Sequence, residues 1–323
     1  MSTREAGLEA DLTIVIVNYN TRQLLRPCID AVHASAGSLH LQIVIIDNGS
    51  RDGSEEVMKA EFGDCELVFN PTNIGFGRAN NLALPKVRGA YVLLLNTDAY
   101  VAIESLESTV RYMEANPVVS VLGVRLIGRD GELQPSCRYF PTPWNEFLSR
   151  TGLARLFPGT KLVDDMAWAH DAPRECDWVP GCYYLVRKSV LDRVGLFDPR
   201  FFFYYEEVDH CRAVKAAGGQ VVFYSGTTVV HIGGESAKSD SALTAGRQIP
   251  ALQIESGLLY FRKHHGLPGV WLAAVLATVG DAVLALKAAV RRAASRPEGG
   301  TWQHSAATGS LLLKTSFGRR PTR

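Results

Sequence analysis

No CxxC pair and no cysteine–histidine spacing of the zinc-binding kind occurs in this sequence, although it holds six cysteines, at 28, 65, 137, 176, 182 and 211. A structural zinc site is therefore excluded. Residues 1–10 are polar and lack the apolar core of a signal peptide, so the thiols are expected to be reduced and cytosolic. An excess of charge of one sign is also lacking. The 34 Lys and Arg against 33 Asp and Glu leave a net +1, and no global field draws the chain to nucleic acid. Internal repeats are absent. The strongest apolar run, 270–286, is interrupted by Gly280-Asp281 and falls short of the ~20 residues that cross a bilayer.

What is present is ordinary for a globular chain of 323 residues, 46% hydrophobic and 21% charged. Continuous β-branched and Leu runs, "LTIVIVNYN" (12–20), "LQIVIIDNGS" (41–50), "CELVFN" (65–70) and "AYVLLLNTD" (90–98), alternate with helical patterns at 21–35, 54–62, 75–88 and 104–115. Such runs suit strands of a parallel sheet buried on both faces, and the rhythm predicts a doubly wound α/β fold. Asp130-Gly131 marks a hairpin turn, and 141–175 reads as an irregular excursion. A strand then leads to a short helix from Lys188, a helix runs over 206–217 to Gly218-Gly219, and a last strand carries His231 near its end. The apolar stretch 266–294 predicts a helix, and 295–323, like 1–10, is expected to be disordered.

Several carboxylates stand where ligands bind in such sheets, beyond the carboxyl ends of the strands. Asp47 ends one strand and Asp98 follows another; each is either a ligand or a cap on its own loop. "NPTNIGFGRANN" carries Gly75 and Gly77, but Asn80 stands where a dinucleotide fingerprint needs its third glycine, which disfavours a dehydrogenase. In "FFFYYEEVDH" five aromatics precede Glu206, Glu207 and Asp209. A carboxylate against an apolar wall has the raised proton affinity of a general base, although acids at a helix start also serve the macrodipole. His231 is either a structural hydrogen-bonder or, paired with a carboxylate, a metal ligand.

Taken in order, "VIVNYN", "IIDNGSRDGS", "NIGFGRANN", "LLLNTDAYV", "WVPGCYYLVRKSVLDRVGLFDPRFFFYYEEVDHCRAV" and "VVHIGGES" resemble the family 2 glycosyltransferases of GT-A fold, on their rhamnosyltransferase-like branch. The resemblance covers about residues 12–265. It implies a GT-A domain over 11–265, with a nucleotide-sugar half (11–118) and an acceptor half (119–265), and a mostly parallel central sheet flanked by helices.

The same resemblance implies an inverting transfer, with rhamnose from dTDP-rhamnose as the first choice of donor. The acceptor would be a polyprenyl-linked or polysaccharide hydroxyl of the bacterial envelope. It assigns donor contacts to Asn18, Asn20, Asp47, Asn48, Asn73, Gly75, Arg78, Asn81, Asn96 and Asp98, and a divalent metal, Mg²⁺ or Mn²⁺, to Asp98 and His231. Trp178, Pro180, Gly181, Tyr205 and Glu206 would edge the acceptor, with Glu207 as base and Asp209 as second choice. Two departures stand out: Asn96 replaces an acid of the metal motif, and Glu207 replaces the usual Asp. A UDP-hexose-dependent enzyme, or a degenerate sugar-nucleotide-binding module, is the alternative. A nucleotidyltransferase is disfavoured because "NYNTRQLL" lacks a Gly-rich basic loop. Lys287, Arg291 and Arg292 beside the apolar helix suggest a peripheral contact of 268–292 with the inner face of the cell membrane, and a homo-oligomer stays open.

Overall fold

Strands β1 (Ala10–Asn18), β2 (Leu41–Asn48), β3 (Glu66–Asn70) and β4 (Gly89–Asn96) pair in parallel in the order β3-β2-β1-β4. They belong to a computed structural model that describes residues 9–233, 248–292 and 302–323. Side chains alternate across a strand, and here both faces are covered. Val15, Val44, Ile46 and Leu94 pack on one side, and Ile14, Ile16, Ile45 and Leu93 on the other. That is why the runs carry no polar alternation. Helices α1 (Arg22–Ala34), α2 (Ser54–Glu61) and α4 (Ser105–Ala115) bury Leu25, Ile29, Met58, Val110 and Met113 against the second face. The short α3 (Phe76–Asn81) serves the first.

The second half widens this sheet to ten strands. β6 (Val119–Ile127) turns at Gly131, φ +81°, into β7 (Leu133–Gln134), so the Asp130-Gly131 hairpin is present. After α5 (Pro143–Thr151) and β8 (Arg174–Glu175), β9 (Tyr183–Arg187) inserts antiparallel between β4 and β6. Helices α6 (Lys188–Val194) and α7 (Glu206–Ala216) follow, and then β10 (Gln220–His231), parallel to β6. The short β5 (Ala99–Val101) runs antiparallel to the end of β10 and sets Ala99 opposite His231. The sheet is thus mixed, with its parallel core at β3-β2-β1-β4. All six cysteines are buried and free.

The C-terminal part departs from expectation. Helix α8 (Gln248–Arg292) breaks at Gly266 (φ 65°, ψ −162°), two residues before Pro268. Helix α9 (Gln303–Lys314) follows, and its Leu311 and Leu312 are buried in the core shared with Val270 of α8. Residues 302–323 are therefore folded rather than disordered. Their polar composition hid a two-residue apolar anchor whose partner lies on another helix. Of the other segments expected to be disordered, 1–8 and 295–301 lie outside the described residues.

Asp281, which interrupts the apolar run, is 1% exposed on its side chain, ion-paired to Arg150 of α5, and accepts the Ser305 amide at 2.8 Å. One carboxylate thus ties α5, α8 and the start of α9 together. Removing one partner of a buried pair strands the other charge, so Asp281→Ala is expected to destabilise the protein by about 3–5 kcal/mol in denaturant unfolding. A loss below about 1 kcal/mol, as for a surface pair, would contradict this role.

Candidate active site

The carboxyl ends of β1, β2 and β4 open on one side of the sheet. A cavity of about 290 Å³ lies there, lined by Tyr19, Asn48, Asn73, Gly75, Asn96 and Asp98, by Pro180 and Gly181, and by Glu206, Glu207 and His231. Ten residues singled out from the sequence thus meet in one place, drawn from both halves of the chain.

The floor is a network of amides. Asn18 Nδ2 donates to Asp47 Oδ1 (2.8 Å) and Ser50 Oγ (3.0 Å), and Asp47 Oδ2 accepts the Ser50 amide at 3.0 Å. Asn20 Oδ1 accepts the Arg51 amide at 2.7 Å. Asp47 is only 3% exposed, so Asn18, Asn20 and Asp47 shape the loop under the cavity rather than appear among its lining residues. Asn48 and Asn73 do line it, but they also bond to each other (3.1 Å), and Asn73 Oδ1 holds the Gly75 amide at 2.9 Å. Gly75 is required here. Its φ is +91°, and a Cβ would stand 2.3 Å from the Phe202 carbonyl oxygen, so only glycine lets this turn approach the aromatic loop.

Two expected donor residues point elsewhere. Arg78 donates to the carbonyls of Pro199 (2.6 Å) and Arg323 (3.0 Å), and Asn81 to that of Phe197 (2.8 Å). Both fasten α3 to the segment before α7, because the third and sixth residues of a six-residue helix face away from the cavity floor.

Asp98 and His231 face each other, Oδ1 to Nε2 at 3.6 Å. The antiparallel end of β10 brings them together, and the Ile232 amide donates to the Asp98 carbonyl at 3.0 Å. Gln134 of β7 sets the ring's state. Its Nε2 donates to the His231 carbonyl (2.8 Å), which leaves its Oε1 to face His231 Nδ1 at 2.9 Å. An amide oxygen can only accept, so the ring proton sits on Nδ1 and Nε2 turns a lone pair toward Asp98. Burial holds the imidazole's pKa down, against the pull of Asp98. Two lone-pair donors facing across 3.6 Å fit a shared cation, and the Gln134 bond is the outer support that ligating histidines commonly have. Among the described residues no cluster of three or more His, Cys, Asp or Glu could hold a metal, so further donors would have to come from substrate oxygens and water.

The opposite wall is the aromatic run. Phe201 is core, Phe202, Phe203 and Tyr204 line the cavity, and Tyr204 and Tyr205 both take left-handed conformations, φ 72° and 70°. Each such residue costs about 1–3 kcal/mol. The turn is held from three sides: Phe76 N donates to Phe202 O (2.9 Å), Ser256 Oγ to Phe203 O (2.8 Å), and the Tyr205 hydroxyl to Glu146. It delivers Glu206 and Glu207 as the first residues of α7.

The two acids differ. Glu206 is 3% exposed, and burial followed by the neighbouring Glu207 charge raises its pKa well above the usual range, so it keeps its proton. Glu207 is less buried. Burial raises it too, while its own backbone amide, the Arg138 charge and the Gly181 amide pull the other way. Environment thus splits adjacent carboxyls into an acid that stays neutral and one that ionises first. Asp209 is committed elsewhere, to Lys263 (2.7 Å) and His264 (2.6 Å).

A second cavity, about 450 Å³, lies between α5 and α8. Trp178 and Tyr205 line it, not the first one, and Tyr204 and Glu207 line both. Glu207 is therefore the one carboxylate common to the two chambers. Gln134, Arg138 and Glu146 could not be found from local pattern, because their partners are remote in the chain and no local period marks them. Burial pushes the Glu146 carboxyl up to about 7 despite the Tyr205 hydroxyl bonded to it.

Residues 13–169 match the family model described as glycosyl transferase family 2. The chain is 25% identical over 248 residues to the N-acetylglucosaminyl-diphospho-decaprenol L-rhamnosyltransferase of Mycobacterium tuberculosis, covering 72% of this chain and 79% of that one. It is 23% identical over 227 residues to rhamnosyltransferase WbbL of Escherichia coli, covering 68% and 82%. In fold it superposes with a TM-score of 0.57 on the mannosyltransferase PcManGT of Pyrobaculum calidifontis, solved with GDP-Man and Mn²⁺, at 16% identity over 96% of this chain and 88% of that one. The chain is thus a glycosyltransferase of GT-A fold, whose residues 13–169 match the family 2 model and whose relatives include rhamnosyltransferases.

Proposed function

We propose that the chain transfers rhamnose from dTDP-rhamnose, with inversion, to a hydroxyl of a lipid-linked or polysaccharide acceptor of the cell envelope. Two relatives named rhamnosyltransferases support the sugar, and the printed name of one supports a prenyl-diphosphate-linked acceptor. The observation that carries the chemistry is Glu207, shared by a cavity containing Asp98 and His231 and by a separate one without them.

In this reading the donor's diphosphate lies toward Asp98 and His231. Glu207 takes the proton of the acceptor hydroxyl, whose oxygen forms the new bond to the anomeric carbon on the face away from the diphosphate. The old carbon–oxygen bond breaks, and its electron pair leaves with the diphosphate. A Mg²⁺ or Mn²⁺ ion bound by Asp98 and His231 would supply charge neutralisation for that leaving group. Phe202, Phe203 and Tyr204 keep water from the anomeric carbon. Nucleoside diphosphate release from a panel of dTDP-, UDP- and GDP-sugars with Mn²⁺ tests the donor. The reading expects dTDP-rhamnose to turn over fastest; preference for a UDP-hexose would replace the sugar, and no release from any would support a binding module.

The protein would work at the inner face of the membrane. Helix α8 is apolar and long enough to span one by length and composition, with mean hydropathy 2.0 in its most apolar window. However, its Val270, Ala277 and Asp281 are buried against the domain, which supports a helix lying on the bilayer instead. Its outer stripe, Trp271, Val275, Val279, Leu286 and Val290, is 43–68% exposed. The basic contribution is smaller than expected, because Lys287 donates to the Thr151 carbonyl at 2.6 Å, and the side chains of 291 and 292 lie outside the described set. The full chain is expected to float with phosphatidylcholine–phosphatidylglycerol vesicles, and Trp271→Glu with Val275→Glu to abolish flotation. Equal flotation of the variant would remove the stripe as the contact.

A further inference from the structure

The second chamber has the chemistry of an amphiphilic anion site. Much of its lining is apolar, Phe147 of α5 and Ile254, Leu258, Phe261 and Leu276 of α8, and the carboxyls of Glu146 and Glu207 belong to it as well. Its volume, about 450 Å³, is within the range of small-molecule sites. One cation stands out among these walls. Arg138 lies over the Trp178 ring at 4.1 Å, and its Nη2 pairs with Asp164 at 2.5 Å. Its Nε is buried with no hydrogen-bond partner. Arg138 itself lines the chamber, and a buried N–H left without a partner costs stability. The other guanidinium there, Arg150, is already paired to Asp281 and to the Ala277 carbonyl. Arg138 also acts on Glu207 electrostatically, so the base, the cation and the apolar walls belong to a single compartment.

We infer that this chamber between α5 and α8 receives the acceptor as an amphiphile, with its phosphate or diphosphate held by Arg138 and its apolar chain laid against α8. The inference rests on the transfer reading above and adds to it a location, a recognition residue and an entry route. The acceptor would approach Glu207 from the side opposite the donor, which is the geometry an inverting transfer needs. A stacked, planar guanidinium suits a phosphate oxygen.

A binding experiment on the full chain separates the two ideas. Farnesyl diphosphate, farnesol and inorganic pyrophosphate are titrated calorimetrically against wild type, Arg138→Met, Ala273→Phe and Ala277→Phe. Ala273 and Ala277 both line the chamber, and a phenyl ring at either would fill it. Thermal melts exclude misfolded variants, and two plugs guard against the failure of one. Farnesyl diphosphate is expected to bind wild type at least tenfold more tightly than farnesol, and to resist displacement by dTDP with Mn²⁺. Arg138→Met is expected to weaken farnesyl diphosphate tenfold or more and leave farnesol unchanged, and the plugs to weaken both. Equal binding by wild type and the folded plugs, or displacement by dTDP, would overturn the site. Equal affinity for farnesol and its diphosphate would overturn the role of Arg138. Because no turnover is read, a chain that binds the probe here but releases no nucleoside diphosphate keeps this site and loses the transfer reading.

Discussion

Glu207→Gln is expected to bind sugar nucleotide as wild type does and to transfer sugar about 10²–10⁴-fold more slowly, the range for losing a positioned general base. The substitution keeps the side chain's length and its place at the start of α7, and removes only its capacity to take a proton. Glu207 Oε2 has no hydrogen-bond partner, so its lone pairs are uncommitted. The pH dependence follows from the same environment. Burial raises the Glu207 pKa, so the transfer rate of wild type should climb with pH through a value above the usual glutamate range, and Glu207→Gln should lose that limb. The neighbour provides a control: Glu206→Gln imitates the neutral acid already present and should leave the rate's pH profile in place. Stopped-flow transfer measured beside equilibrium donor binding checks both. A variant retaining full turnover would dismiss Glu207 as the base, and Asp209, tied to Lys263 and His264, is a poor replacement.

Asp98→Asn is expected to lose the Mn²⁺-dependent part of nucleoside diphosphate binding by about a hundredfold or more, since changes merely behind a metal ligand already cost about 10–100-fold. Asp98 and His231 face each other at this position, and Asn96 brings no charge where an acid would add one. The free protein should therefore hold Mn²⁺ weakly and gain affinity once a diphosphate supplies further oxygens. Titration of Mn²⁺ by electron paramagnetic resonance, with and without dTDP, reads this directly. Unchanged Mn²⁺ coupling in Asp98→Asn would dismiss the pair as the metal's seat.

Much of this architecture was legible because it is local. The runs at 12–20, 41–50 and 90–98 became β1, β2 and β4 within a residue or two, and 206–217 became α7, because burial on both sheet faces and a Gly-Gly stop write themselves into short windows. Asp98, Glu207 and His231 line one cavity because each sits at the end of a strand or the start of a helix, where sheet topology collects ligands. The rest depended on contacts between distant segments. Nothing around Arg78 reveals that Pro199 and Arg323 will take its N–H groups. Asp281 read as a flaw in an apolar run until Arg150, 131 residues earlier, was beside it. Likewise, α9 folds only because Leu311 and Leu312 find α8, and β9 enters antiparallel because the excursion before it returns the chain along β4.

The most direct test is where manganese and a nucleoside diphosphate bind. In a crystal of the full chain with dTDP and Mn²⁺, the anomalous peak is expected within about 2.0–2.3 Å of both Asp98 Oδ and His231 Nε2. The diphosphate should lie in the chamber that contains them, with the one between α5 and α8 left open beyond Glu207. Manganese held by other residues, or the diphosphate lodged against Arg138, would contradict the account.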